Sequence, residues 1–128
     1  MTRNMLKSKI HRARVTGVRL DYEGSVTIDP ALLKAADIAP YEQVHVLNVN
    51  TGARFTTYAI AGSPGEGQIE LNGAAARLAA RGDIVIILTY TSIADEESRT
   101  FMPRLVYVDQ NNRIINTKRA IGSLELGE

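Results

Sequence analysis

The chain has 128 residues and no cysteine, so disulfides, thiolate nucleophiles and thiolate metal ligation are all excluded. It also lacks a surplus of either charge. Fifteen Lys and Arg stand against fourteen Asp and Glu, a formal net charge of +1 that makes no case for a nucleic-acid or membrane partner. No apolar run is long enough to span a bilayer. The basic start Met1–Lys9 has no apolar stretch behind it of the kind a signal peptide needs, so a cytoplasmic protein is expected. His11 and His45 fall in unrelated strand patterns, and no metal site is expected. With no internal repeat and no low-complexity segment, the length speaks for one domain with a real core and against two.

What is present reads mainly as short strands. Ile10, Ala13, Val15, Val18, Leu20 and Val26 are spaced like half-buried strands broken near Gly17 and Gly24, which predicts two strands between residues 9 and 28. Asp29–Pro30 supplies an N-cap and a first-turn proline, predicting a short helix over Ala31–Ala36 that stops near Ala39–Pro40. Strands at Gln43–Asn48 and Arg54–Ile60 flank the turn Asn50–Gly52 as a hairpin. A surface loop at Gly62–Gly67, a short strand at Gln68–Leu71, a turn at Asn72–Gly73 and a brief helix at Ala74–Ala80 follow. Ile84–Tyr90 is a continuous apolar, β-branched run, predicting a central strand buried on both faces. Leu105–Val108 and Arg113–Ile115 read as a last hairpin, leaving residues 116–128 as a tail expected to be mobile or ordered by a neighbouring subunit. So many short strands with few helical turns predict a small, mainly β barrel over residues 1–115, since closure removes exposed edges.

The stretch with chemical potential is Asp21–Ile28, centred on the Gly24–Ser25 bond. A hydroxyl directly after a glycine can attack the preceding carbonyl, and Gly24 both removes a side chain that would crowd the attack and tolerates a strained backbone. The product is an ester. Its loss by β-elimination leaves a dehydroalanine at position 25, and hydrolysis of that enamine gives a ketone at a new chain terminus, a pyruvoyl group. Taken alone, however, a Gly-Ser pair is a common turn that simply starts the next strand.

Five segments change that balance: Met5–Arg12, Tyr22–Ser25, Arg54–Ile60, Asn72–Ala76 and Gly82–Val85. In their residues, order and spacing the chain, from Met1 to Val108, resembles the aspartate 1-decarboxylase family. The resemblance implies a self-cleaving, pyruvoyl-dependent lyase converting L-aspartate to β-alanine and carbon dioxide, a supply of precursor for pantothenate and coenzyme A. It implies a closed double-psi β-barrel with a few short helices, assembled as a homotetramer, cut between Gly24 and Ser25 into residues 1–24 and 25–128. Ser25 would become the pyruvoyl group, the covalent cofactor that forms a Schiff base with the substrate amine and acts as an electron sink. Some relatives use a separate maturation factor, which is therefore a candidate partner. The chain departs from the family pattern at Asp21 and Arg77, where histidine is frequent, and beyond Asn116, where it has no firm counterpart.

Carried over residue by residue, the resemblance assigns roles that each have a plainer alternative. Lys9 and Arg54 match substrate-binding residues; a dicarboxylate needs fixed cations, and Arg54 can clamp a carboxylate with two parallel hydrogen bonds. Both would otherwise be solvated strand residues. Tyr58 matches the proton donor, and a tyrosine holds its proton at pH 7 ready to deliver it; the alternative is a packing residue at a rim. Thr57 would stabilise the oxyanion formed at the Gly24 carbonyl and later hold substrate, or be simply a good strand former. Asn72, Gly73, Ala74 and Ala75 would bring amides and little bulk to the substrate, or make a turn and a helix start. His11 and Tyr22 match residues that support the site. Two other classes compete with a lyase: a barrel whose basic strip Arg3, Lys7, Lys9, Arg12, Arg14 binds a polyanion, opposed by the missing aromatic interleaving, and an uncleaved interaction module without catalysis.

Overall fold

The computed structural model describes residues 1–119. Nine strands run through it: β1 (Thr2–Arg14), β2 (Gly17–Arg19), β3 (Ser25–Ile28), β4 (Gln43–Asn48), β5 (Arg54–Ala61), β6 (Ile69–Asn72), β7 (Ile84–Ala94), β8 (Arg104–Val108) and β9 (Ile114–Lys118). Helix α1 (Pro30–Ala36) follows β3, a 3-10 turn (Gly73–Leu78) follows β6, and a single helical turn α2 (Asp95–Ser98) follows β7. The strands form one sheet in the order β2-β6-β3-β5-β4-β7-β1-β8-β9. Most pairs are antiparallel, but β1·β8, β2·β6 and β3·β5 are parallel.

The link between β1 and β2 ties the two sides of the sheet together. These strands are neighbours in sequence yet far apart in the sheet order, so Val15–Thr16 must carry the chain from one side to the other. Val15 N–H donates to the Asp83 carbonyl at the foot of β7, and Thr16 N–H donates to the Ile69 carbonyl of β6. The Asn112 side-chain amide adds a second tie, donating to the carbonyls of Arg14 and Gly67. This is the mainly β fold with a few short helices that the sequence predicts. Its interior is filled by alternating strand residues such as Ile10, Val26, Val44, Val46, Ile69, Leu71, Val85 and Ile87, each without exposed surface, with Leu32 of α1 closing one end.

Helix α1 forms where Asp29–Pro30 predicts it, with the Asp29 carboxylate accepting from Ala31 N–H. It ends at Ala36, earlier than Pro40, because Asp37 takes a left-handed conformation (φ 56°) whose N–H closes onto Leu33 and Lys34. Other expectations need correction. β1 begins at Thr2, and residues 9–28 contribute to three strands, since Gly17 opens a short strand instead of merely interrupting one. β7 is not buried on both faces: Val85, Ile87 and Thr89 point inward while the alternate residues are half-exposed, and it extends to Ala94 against β1. Asn116–Lys118, read from the sequence as the start of the tail, belong to β9 and pair with Leu105–Tyr107; the remainder of the expected tail, from Ala120, lies outside the described residues.

Candidate active site

The Asn72 side chain organises the site. It ends β6 opposite Ser25, which begins β3. Its amide nitrogen donates to the hydroxyls of Ser25 and Thr27, both at 2.9 Å, and all three side chains are buried. Its amide oxygen is buried with no hydrogen-bond partner among the described residues. Thr27 was not anticipated as part of this group. The signal was available in the two-residue spacing from Ser25, which puts both hydroxyls on one face of β3.

Ser25 itself has no exposed surface and a φ of 128°. A side-chain-bearing residue is held there only at a cost of about 1–3 kcal/mol. The sequence placed the strained backbone at Gly24; the structure puts it one residue later, and Gly24 is outside the left-handed region. A side chain at Gly24 would also meet nothing within 4 Å, so crowding by the rest of the chain does not require a glycine there. The glycine forced by packing is Gly73, with φ 65°: a Cβ on it would lie 2.9 Å from the nitrogen and Cα of Gly24 and 3.0 Å from the Tyr22 carbonyl. Residues 20–24 thus arch over Gly73, between β2 and β3.

Ser25 and Gly24 open onto a cavity of about 680 Å³ lined also by Asp21, Tyr22, Glu23, Pro40, Tyr41, Tyr58, Ile60 and Ala61. Tyr58 reaches it because β5 runs parallel to β3 with Val26 beside Ala59, which puts Tyr58 next to the start of β3. Strand alternation then sends the Thr57 side chain to the face opposite Tyr58, and Thr57 does not line the cavity. The Tyr58 ring packs 6.3 Å from that of Tyr41, a wall residue absent from the sequence-based candidates.

The remaining candidates are dispersed. Lys9 and His11 lie on β1, separated from β5 in the sheet by β4 and β7, and Arg54 starts β5, paired with Leu47. None of the three lines the cavity at Ser25, whose charged lining residues, among the described residues, are the carboxylates Asp21 and Glu23. His11 packs edge-on against Tyr107 at 5.5 Å. Burial, then the charges of Lys9 and Arg12, lower its pKa from 6.5, so it is neutral at pH 7 and adds no cation. Ala75 is buried beneath the 3-10 turn and Ala74 is exposed on it. Among the described residues there is no cluster of three or more His, Asp or Glu able to hold a metal ion, and no helix long and apolar enough to cross a membrane.

Known proteins match this chain in sequence along nearly its whole length. It is 57% identical over 122 residues to an aspartate 1-decarboxylase of Dehalococcoides mccartyi, a match covering 95% of this chain and 98% of that protein. It is 55% identical over 116 residues to the aspartate 1-decarboxylase of Thermoanaerobacter pseudethanolicus, covering 91% and 99% of the two. With that of Syntrophobacter fumaroxidans it shares 59% identity over 113 residues, or 88% and 91%. The model of the aspartate decarboxylase family matches residues 1–115, and with this breadth of agreement the chain belongs to the aspartate decarboxylase family.

Proposed function

We propose that the chain removes the α-carboxylate of L-aspartate to give β-alanine and carbon dioxide, at a pyruvoyl group that it makes from its own Ser25. The observation that carries this reading is the geometry of the Gly24–Ser25 bond: a buried hydroxyl held by Asn72, on a residue with φ 128°, following a glycine that rests on Gly73. Ser25 Oγ attacks the Gly24 carbonyl carbon, forming a C–O bond while the C–N bond breaks and the Ser25 nitrogen takes up a proton. Loss of the Ser25 α-proton then expels the Gly24 carboxylate, and water replaces the nitrogen of the resulting enamine, releasing ammonia. Cleavage abolishes the torsion that φ describes, so the strain at Ser25 is relieved in the product and favours it. Asn72, whose amide holds the Ser25 hydroxyl, and the small residues Gly73, Ala74 and Ala75 beside it are assigned to the substrate.

When formed, the group supplies an electrophilic carbonyl that takes the substrate amine and accepts the electron pair left by departing carbon dioxide. The chain supplies the rest. Tyr58, at the cavity wall, is assigned to protonate the substrate carbon. Thr57, whose side chain lies on the face of β5 away from the cavity, is assigned to the oxyanion of the cleavage step and to substrate binding on the family resemblance alone. Arg54 and Lys9 bind the substrate carboxylates, with His11 and Tyr22 supporting. The distance of these cations from Ser25 in the sheet, and the acidic lining beside it, support a site completed by a second copy of the chain within a homotetramer. A cytoplasmic location and a maturation factor as a further partner complete the proposal, with no nucleic-acid or membrane partner.

Substitution of Ser25 tests it. Ser25→Ala is expected to fold, to stay whole, and to show no release of carbon dioxide from aspartate. Cleavage persisting in that variant would remove Ser25 as the nucleophile.

A further inference from the structure

The arch that carries the scissile bond is exposed throughout, from Leu20 to Gly24, yet it must hold one carbonyl in line with one hydroxyl. Two features fix it. From beneath, Gly73 admits the Tyr22 carbonyl and the Gly24 backbone to contact. From the side, the Arg19 guanidinium carbon sits 4.9 Å from the centre of the Tyr22 ring, within the range of a cation–π contact. The Tyr22 N–H also turns back to the Arg19 carbonyl at 3.3 Å.

The position of Arg19 makes this contact consequential. It is the last residue of β2 and pairs in register with Asn72, the same residue that pairs with Ser25 on the other side of β6. The arch therefore leaves one flank of Asn72 and returns on the other, and Arg19 is anchored at its base level with the hydroxyl that attacks. Arg19 forms no ion pair with a carboxylate among the described residues, so the ring of Tyr22 is the partner its charge has there.

We infer that Arg19 is a positioning residue for self-cleavage, latching the arch through Tyr22 so that the Gly24 carbonyl is presented to Ser25 Oγ. The inference rests on the self-cleavage proposed above. Without the latch the arch samples conformations in which the carbonyl is out of line, and the rate falls with the population of the competent one.

The test follows the uncleaved fraction of freshly purified full-length chain against time by intact mass, with the melting temperature of each variant measured alongside. Arg19→Ala is expected to cleave about 2- to 5-fold more slowly, the size of an exposed cation–π contact, at an unchanged melting temperature. Arg19→Lys, which keeps a cation, recovers part of the rate. Tyr22→Leu slows the unaltered chain but adds no corresponding loss in the Arg19→Ala background, because the two act through one contact. Cleavage of Arg19→Ala at the unaltered rate, or losses from the two positions that simply multiply, would overturn the latch while leaving self-cleavage standing. Absence of cleavage in the unaltered chain would overturn both.

Discussion

At the scale of single residues, the candidate site is a hydroxyl held by an amide, with a phenol lining the same cavity. Tyr58 has a proton to give and a place on the Ser25 cavity, whereas its neighbour Thr57 points to the other face of β5. Tyr58→Phe keeps the ring and its packing on Tyr41 but removes the proton. The expected result is cleavage as in the unaltered chain, with turnover of aspartate lower by about 10²-fold or more. Near-normal turnover, measured as β-alanine formed per cleaved chain, would take Tyr58 out of the proton-donor role. Ser25, Asn72 and Tyr58 were legible in the sequence because their order and spacing resemble a family. Thr27 and Tyr41 were not singled out: a threonine in a strand and a tyrosine after a proline are unremarkable until the fold sets them beside Ser25. The location of strain was misread for a physical reason. Glycine tolerates positive φ, so Gly24 was the natural place to put it, but the chain puts it on Ser25.

Among the elements, α1 was the easiest to read and carries more than its own cap. The Asp29 carboxylate accepts from Ala31 at the helix start, and from Gly65 and Gly67 in the loop before β6. Burial pushes the pKa of Asp29 up, but these three backbone hydrogen bonds and the charge of Arg113 outweigh it and lower it from 3.8. A depressed folded pKa means that the ionised carboxylate stabilises the fold fully above the unfolded value and that this contribution is lost as pH falls through the folded one. The melting temperature should therefore drop below about pH 4, and Asp29→Asn should start lower at neutral pH and show a smaller acid-induced drop. An identical acid-induced drop in the two chains would contradict the assignment. β7 and α2 show where element reading ran out. A run of Ile and Val cannot say whether its second face meets a helix or water, and a single turn such as Asp95–Ser98 leaves too short a pattern to detect.

For the whole molecule, the barrel gathers Ser25, Tyr58 and Asn72 but sends Lys9 and Arg54 elsewhere, a separation invisible in a sequence where all five motifs stand in one line. If a second copy supplies the cations, two defective chains can repair one another. Co-expressed Ser25→Ala and Arg54→Ala chains are expected to form mixed assemblies that turn over aspartate well above either variant alone. A site built within one chain would leave every mixture inactive. All of this depends on the bond between Gly24 and Ser25. The most direct measurement is the intact mass of the purified chain under denaturing conditions, before and after treatment with a carbonyl-reactive hydrazide. The account predicts two fragments, residues 1–24 and 25–128, with the label taken up by the larger; a single unlabelled chain of 128 residues would contradict it.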